Sequence, residues 1–149
     1  VEDILLRAER IYHLPPELDL LIEFAQQEDF LFLQRLKQDF QTGRNRFDQV
    51  GEALFAVYVK NHLIAIGGLN QDPFDYANKV GRLRRFYIHP DYRRKRIGTY
   101  LLMHIERYAQ AYFERLHLFT DTEEAAFFYQ SMGYERINWA HTNFRKVFE

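Results

Sequence analysis

Apolar residues fall into three regimes along this chain. Between positions 16 and 43 they recur at helical spacing: Leu18, Leu21, Ile22 and Ala25 share one stripe, and Phe30, Leu33, Leu36 and Phe40 another. That period predicts two amphipathic helices. Pro16 suits the first turn of the earlier helix, where its missing N–H costs nothing. Gly43 suits the left-handed residue that closes the later one. From Ala53 the spacing tightens. "ALFAVYV" and "HLIAIGGL" are apolar at almost every position and are separated by Lys60-Asn61, which predicts a hairpin whose strands are covered on both faces. The earlier run "ILLRAE" reads as a first strand, although its periodicity also suits a helix.

The third regime mixes the two. "VGRLRRFYIH", residues 80–89, is a strand whose alternation slips by one residue between Leu83 and Phe86; a β-bulge produces such a slip, and so does a solvated edge stretch. Helical spacing returns at Ile97, Leu101, Ile105, Tyr108, Ala109 and Tyr112, predicting a helix over 97–112. "RLHLFT" is a short strand. Asp121 with Glu124 resembles a capping box opening "EEAAFFYQSM", and Gly133 closes that helix. "YERINWA" and "TNFRKVF" suit a closing antiparallel pair. The order is strand, two helices, three strands, helix, strand, helix, two strands. With no repeat or linker in 149 residues, it predicts a single mixed α/β (α+β) domain spanning 1–149.

Composition narrows the function classes. Lys plus Arg total 20 against 21 for Asp plus Glu, so the chain lacks the basic excess of a dedicated nucleic-acid binder; positive charge is local, at 82–85 and 93–96. Cysteine is absent, which excludes disulfides, thiolate nucleophiles and Cys-based metal sites. No His-x-x-x-His or carboxylate–His spacing falls on a predicted helix, so no metal is expected. No apolar run reaches the ~18 residues of a membrane span and no signal-peptide pattern appears; no membrane partner is expected, and a cytoplasmic location is the default.

The basic turn is the strongest chemical signal. Strand 80–88, helix 97–112 and strand 116–120 form a strand–helix–strand unit, which crosses over with its strands parallel, and ligands in such sheets collect at the carboxyl ends of the strands. "HPDYRRKRIGTYLL" stacks Arg93, Arg94, Lys95 and Arg96 against a helix N-terminus that already carries partial positive charge, with no acid in the first turn to offset them. A phosphate at the helix mouth explains that arrangement: it takes the orphan amides and the arginines together. Gly98 removes a side chain where a ligand would approach. A solvated turn that binds nothing is the plainer alternative.

"RRFYIHPDYRRKRIGTYLL" resembles the signature of the GNAT superfamily of acyl-CoA-dependent N-acyltransferases, in which a strand and a proline lead into an [Arg/Gln]-x-x-Gly-x-[Gly/Ala] turn. Arg93 stands at its first position and Gly98 at its last; Arg96 replaces the middle glycine. "EEAAFFYQSMGYE" resembles the family's later Ala-x-x-x-Tyr-x-x-x-Gly-[Phe/Tyr] segment, through Ala125, Tyr129, Gly133 and Tyr134. The resemblance covers nearly the whole chain. It implies a mixed, largely antiparallel sheet of about seven strands with a central β-α-β unit and four main helices.

It also implies the chemistry. Acetyl-CoA would be the cosubstrate, with Phe86, Tyr87 and Ile88 along its pantetheine arm and Arg93, Arg94, Lys95, Arg96, Ile97, Gly98 and Thr99 around its pyrophosphate. An amine acceptor, small molecule or protein, would attack the thioester directly. Tyr129 would be the acid, since tyrosine keeps its proton at neutral pH and can donate to a departing thiolate. Several family members carry a glutamate base on the central strand, where this chain has Arg82; His89, His141 or a water chain remain as candidates. Asn70 and Asp72 are candidates for the acceptor slot, as are the aromatics Phe30, Phe32, Phe40, Trp139 and Phe144, which equally suit a core. The final strands either close the sheet or pair across a homodimer. Competing expectations are a non-catalytic acyl-CoA-binding or regulatory module, and a nucleic-acid binder using 82–85 and 93–96 as one face.

Overall fold

The computed structural model describes residues 5–149. In chain order it contains β1 (Leu6–Ile11), α1 (Leu18–Gln27), α2 (Phe32–Thr42), β2 (Ala53–Val59), β3 (His62–Gln71), β4 (Val80–Ile88), α3 (Ile97–Ala109), β5 (Arg115–Leu118), α4 (Glu123–Ser131), β6 (Glu135–Arg136) and β7 (Phe144–Val147). The strands form one sheet in the order β1-β2-β3-β4-β5-β7-β6. Among the described residues its only parallel pair is β4 with β5, the two joined by α3. The mixed, mostly antiparallel seven-stranded sheet and four helices are those expected. Ile4, where the first predicted strand begins, lies outside the described residues. No described helix is long and apolar enough to cross a membrane.

Dense apolar strands follow from a sheet with two covered faces. On β2, Phe55 and Val57 join the core under α3 and α4, while Leu54 and Ala56 join the core under α1 and α2. Each face therefore takes alternate residues of one strand. Lys60 and Asn61 both have positive φ, 50° and 71°, and Val59 pairs with His62 across them; that is the two-residue hairpin whose twist matches its strands. Gly43 and Gly133 sit at φ 80° and 92°, each where a helix ends.

Two boundaries differ from expectation. α3 ends at Ala109, not at Tyr112, because the chain tightens there: Tyr112 N donates to Ala109 O at 2.9 Å, and Tyr112 is left 47% exposed. The turn tucks Phe113 under the sheet, where a Cβ on Gly81 would come within 2.6 Å of its ring. The cap of α4 is Thr122 rather than Asp121. Thr122 has the extended backbone of an N-cap, and its hydroxyl accepts from Ala125 N at 3.2 Å.

The slipped alternation on β4 is a bulge. Ile66 pairs with Tyr87 and Gly68 with Arg84, so Arg85 and Phe86 together oppose Gly67. Arg85 takes φ 58°. Gly67 is needed opposite, since a Cβ there would lie 2.9 Å from both Phe86 and Ile105.

Candidate active site

β4 and β5 pair only from Val80–Arg115 to Arg82–His117. Beyond that point β4 runs on from Leu83 to Ile88 with no further pairing to β5, leaving its backbone edge open. A cleft of about 850 Å³ fills the gap and extends to the turn that begins α3. Phe86, Tyr87, Ile88, Arg93, Arg94, Arg96, Ile97, Gly98, Thr99 and Tyr129 all line it. Lys95 does not: its ammonium turns aside, 5.5 Å over the Tyr92 ring.

The turn is shaped by two left-handed residues, Arg94 at φ 60° and Arg96 at φ 63°. Each non-glycine residue there costs about 1–2 kcal/mol, so the position usually held by glycine does need positive φ in this chain. Alternating left-handed residues form a concavity of backbone N–H groups suited to anions. The first amide of α3 to find a helical carbonyl is that of Tyr100, 3.0 Å from Arg96 O; those of Ile97, Gly98 and Thr99 precede it and have no partner within the helix. Gly98 has ordinary φ, and its role is packing, because a Cβ would press to 3.3 Å from the Phe128 ring.

Among the described residues, Arg93 alone of the four cations of the turn has an acidic partner. Its guanidinium donates to both Glu28 oxygens at 2.6 and 2.7 Å, and its Nε donates to Ile88 O at 3.1 Å. The Tyr87 hydroxyl donates to the same carboxylate. Arg93 thus fastens the end of α1 to the turn. Its hydrogen bonds hold the Glu28 carboxyl below the usual carboxylate range, against the upward push of partial burial, and the Tyr87 bond adds to the lowering. Burial and the adjacent Glu28 both push the Tyr87 hydroxyl up. Sequence reasoning missed Glu28; its partners Tyr87 and Arg93 lie 59 and 65 positions away, and no local pattern marks it.

Tyr129 lies on the inner face of α4, 6% exposed, its ring 5.2 Å from Phe128, 5.5 Å from Tyr134 and 6.1 Å from Phe86. Burial pushes its hydroxyl above the ordinary tyrosine range. No group among the described residues bonds that oxygen, yet no buried side-chain oxygen or nitrogen among them lacks a partner; the hydroxyl therefore opens to the cleft that Tyr129 lines. Beneath it, the Tyr134 hydroxyl donates to Glu106 at 2.7 Å, and Lys146 donates to the same carboxylate at 3.1 Å.

Several other candidates lie elsewhere. His89 is buried against Phe24 and Tyr92, and its Nδ1 accepts from Asp91 N at 3.0 Å. His141 stacks on Phe74 at 4.3 Å. Neither lines the cleft. Asn70 exchanges paired amide hydrogen bonds with Asn45, both 3.0 Å. Asp72 is buried, with His117 Nδ1 at 3.2 Å and Arg82 at 3.8 Å. Burial alone would raise its carboxyl; His117, the Phe74 N–H and Arg82 outweigh that and lower it. Both residues are held by these partners, and neither lines the cleft. Phe30 and Phe32 line the cleft, whereas Phe40, Trp139 and Phe144 do not. Arg82, where the resemblance would put the glutamate that several family members carry, donates to Thr142 Oγ1 at 3.1 Å and to His141 O. Among the described residues no three His, Asp or Glu side chains gather as a metal site.

Among curated proteins, none matches the chain. Solved structures do. A protein of Exiguobacterium sp. 255-15, assigned as an acetyltransferase, is 26% identical with a TM-score of 0.85, covering 95% of this chain and 93% of its own. An acetyltransferase from Streptococcus agalactiae 2603 is 20% identical with a TM-score of 0.76, covering 96% and 98%. A GNAT-family acetyltransferase from Staphylococcus aureus MU50 is 14% identical with a TM-score of 0.66, covering 96% and 100%. The last two speak to the fold alone. The sequence profile of the acetyltransferase (GNAT) family matches residues 15–134, most of the chain and all of the cleft described above. This protein therefore belongs to the acetyltransferase (GNAT) family, whose members transfer an acyl group from acyl-CoA.

Proposed function

We propose that this protein transfers an acetyl group from acetyl-CoA directly to an amine. The observation that carries the reading is the continuity of one cleft, from the unpartnered amides at the start of α3, along the open edge of β4, to the free hydroxyl of Tyr129. In this reading the amides of residues 94–99 hold the pyrophosphate, and the exposed arginines around them add charge. The open backbone of Phe86, Tyr87 and Ile88 takes the pantetheine amides as an added strand would.

The acceptor nitrogen bonds to the acyl carbon, the C–S bond breaks, and the proton shed by nitrogen passes to water. Tyr129, kept protonated by burial, gives a hydrogen bond to sulfur as negative charge collects there. A direct route needs no cysteine, and the chain has none. No histidine lines the cleft, and the Glu28 carboxylate is already taken by Arg93 and Tyr87. The arginines of β4 supply what a base would: a nearby positive charge disfavours an ammonium and favours the neutral amine that attacks. Arg82 and Arg85 have side chains only 11% and 12% exposed, so 82–85 is poorly suited to a flat nucleic-acid interface. Calorimetry with acetyl-CoA, followed by release of CoA with a panel of amines, tests the reading. Tyr129→Phe should lower kcat about 10-fold or more while the affinity for acetyl-CoA stays the same. Equal turnover removes Tyr129 from the mechanism, and binding without transfer to any amine leaves a non-catalytic module.

A further inference from the structure

The cleft holds a second concentration of positive charge, distinct from the turn. Arg84 and Arg85 line it from β4 and Arg35 from α2, while the Arg82 guanidinium turns away from it to Thr142 and His141. Phe30 and Phe32, at the junction of α1 and α2, line the same part. Two of these arginines have a carboxylate at ion-pair distance and two have none among the described residues. Asp39 approaches Arg85 at 3.7 Å, beyond hydrogen-bond distance. Asp72 approaches Arg82 at 3.8 Å and is engaged by His117 at 3.2 Å. Arg35 and Arg84 have no acidic partner within 4.0 Å among the described residues. The acids that line the cleft, Glu28, Asp121 and Glu124, come from α1 and from the start of α4, and Glu28 is committed to Arg93.

Such packing opposes folding. Burial, then Arg84 and Arg35 against the help of Asp39, bring Arg85 down to about 10, still charged at neutral pH. Burial and Arg84 likewise lower Arg82, with Asp72 opposing. The bulge adds to the point, because Arg85 takes a left-handed backbone that most residues avoid. Arg84, half-buried, and Arg35, exposed, line the cleft beside these paired arginines with no acidic partner of their own among the described residues, so an anion entering there meets two uncommitted guanidiniums.

We propose that this arginine cluster selects an acceptor whose amine lies beside an anionic group, a carboxylate or a phosphate, which Arg35 and Arg84 bind in their planar, two-pronged manner. The inference rests on the transferase reading above and names its substrate class.

Two pairs of acceptors, each differing by one anionic group, provide the test: phenylalanine against phenethylamine, and O-phosphoethanolamine against ethanolamine, with spermidine as a polycation. The anionic member of at least one pair should show kcat/KM tenfold or more above its partner, and the pair with the larger ratio identifies the anion. Arg84→Gln, and Arg35→Gln at an exposed helical position that leaves the fold alone, should each cut that ratio several-fold through the acceptor KM, with the acetyl-CoA KM unmoved. Preference for spermidine or for both neutral members overturns the inference while leaving the transferase reading intact. A ratio that survives in both variants does the same, as does a rise in the acetyl-CoA KM. Failure of every amine to release CoA overturns both.

Discussion

The turn at 93–99 and the strand segment at 82–85 both bring arginines to one cleft, but they do so in opposite ways. The turn leaves Arg94, Lys95 and Arg96 exposed, spends Arg93 on Glu28, and offers the amides that α3 leaves unpaired. The strand segment buries the guanidiniums of Arg82 and Arg85 and offers the side chains themselves. An anion held by backbone depends on chain path; one held by side chains depends on residue identity. The same charge at two places in one cleft should therefore respond very differently to substitution.

The largest effect should come from disturbing the chain path of the turn. Gly98→Leu drives a side chain against Phe128, already 3.3 Å from where its Cβ would sit. We expect acetyl-CoA affinity to fall about 100-fold, as when several charge-assisted hydrogen bonds are lost together. Calorimetry reads this directly, and near-normal affinity would place the coenzyme elsewhere.

Next in size is a shift in pH dependence that separates the two regions. Arg84→Gln removes a positive charge near the acceptor, so the bound ammonium holds its proton more firmly. The rising limb of kcat against pH should move upward by about half to one unit. Arg94→Gln, on the exposed turn, should leave the limb in place. Equal shifts in both variants would erase the distinction.

The Glu28–Arg93 link offers a smaller, pH-dependent test. The Glu28 carboxyl is depressed in the folded state, so its contribution is present above the unfolded value near 4.5 and is lost as pH falls through the folded one. Glu28→Gln should destabilise the protein by about 1–2 kcal/mol at pH 7, with the gap to the unsubstituted chain closing as the pH drops below that of a free carboxylate. Denaturant melts at several pH values measure it.

Smallest of all should be Arg96→Gly, which removes a cation yet relieves a left-handed residue. Stability should rise by about 1 kcal/mol, and acetyl-CoA affinity should change less than about threefold, because an exposed ion pair contributes little. A large loss of affinity would mean that the turn works through its side chains after all.

Much of this was legible in the chain. Helical and strand periods located α1, α2, α3 and the dense strands β2 and β3, since burial on one stripe or on both sheet faces leaves its mark at adjacent positions; the period of the first strand suited a helix equally, and cap residues marked α4. The slip between Leu83 and Phe86 marked the bulge, and the ordering of Pro, Arg and Gly marked the turn. The cap of α4 fell one residue away, at Thr122, because Asp121 and Thr122 both satisfy the local preference and only the extended backbone at Thr122 distinguishes them. The ring of Tyr112 suited the stripe of α3, but the tighter packing of Phe113 against Gly81 ended the helix first.

Local pattern thus determined the elements, their order and the basic turn at the start of α3, because each depends on neighbours within a few residues. Tertiary structure alone decided which cations remain available. Arg93 meets Glu28 across 65 positions, and Arg35 reaches the arginines of β4 only because α2 packs on that strand. Charge acts through space, and its partners are chosen by the fold.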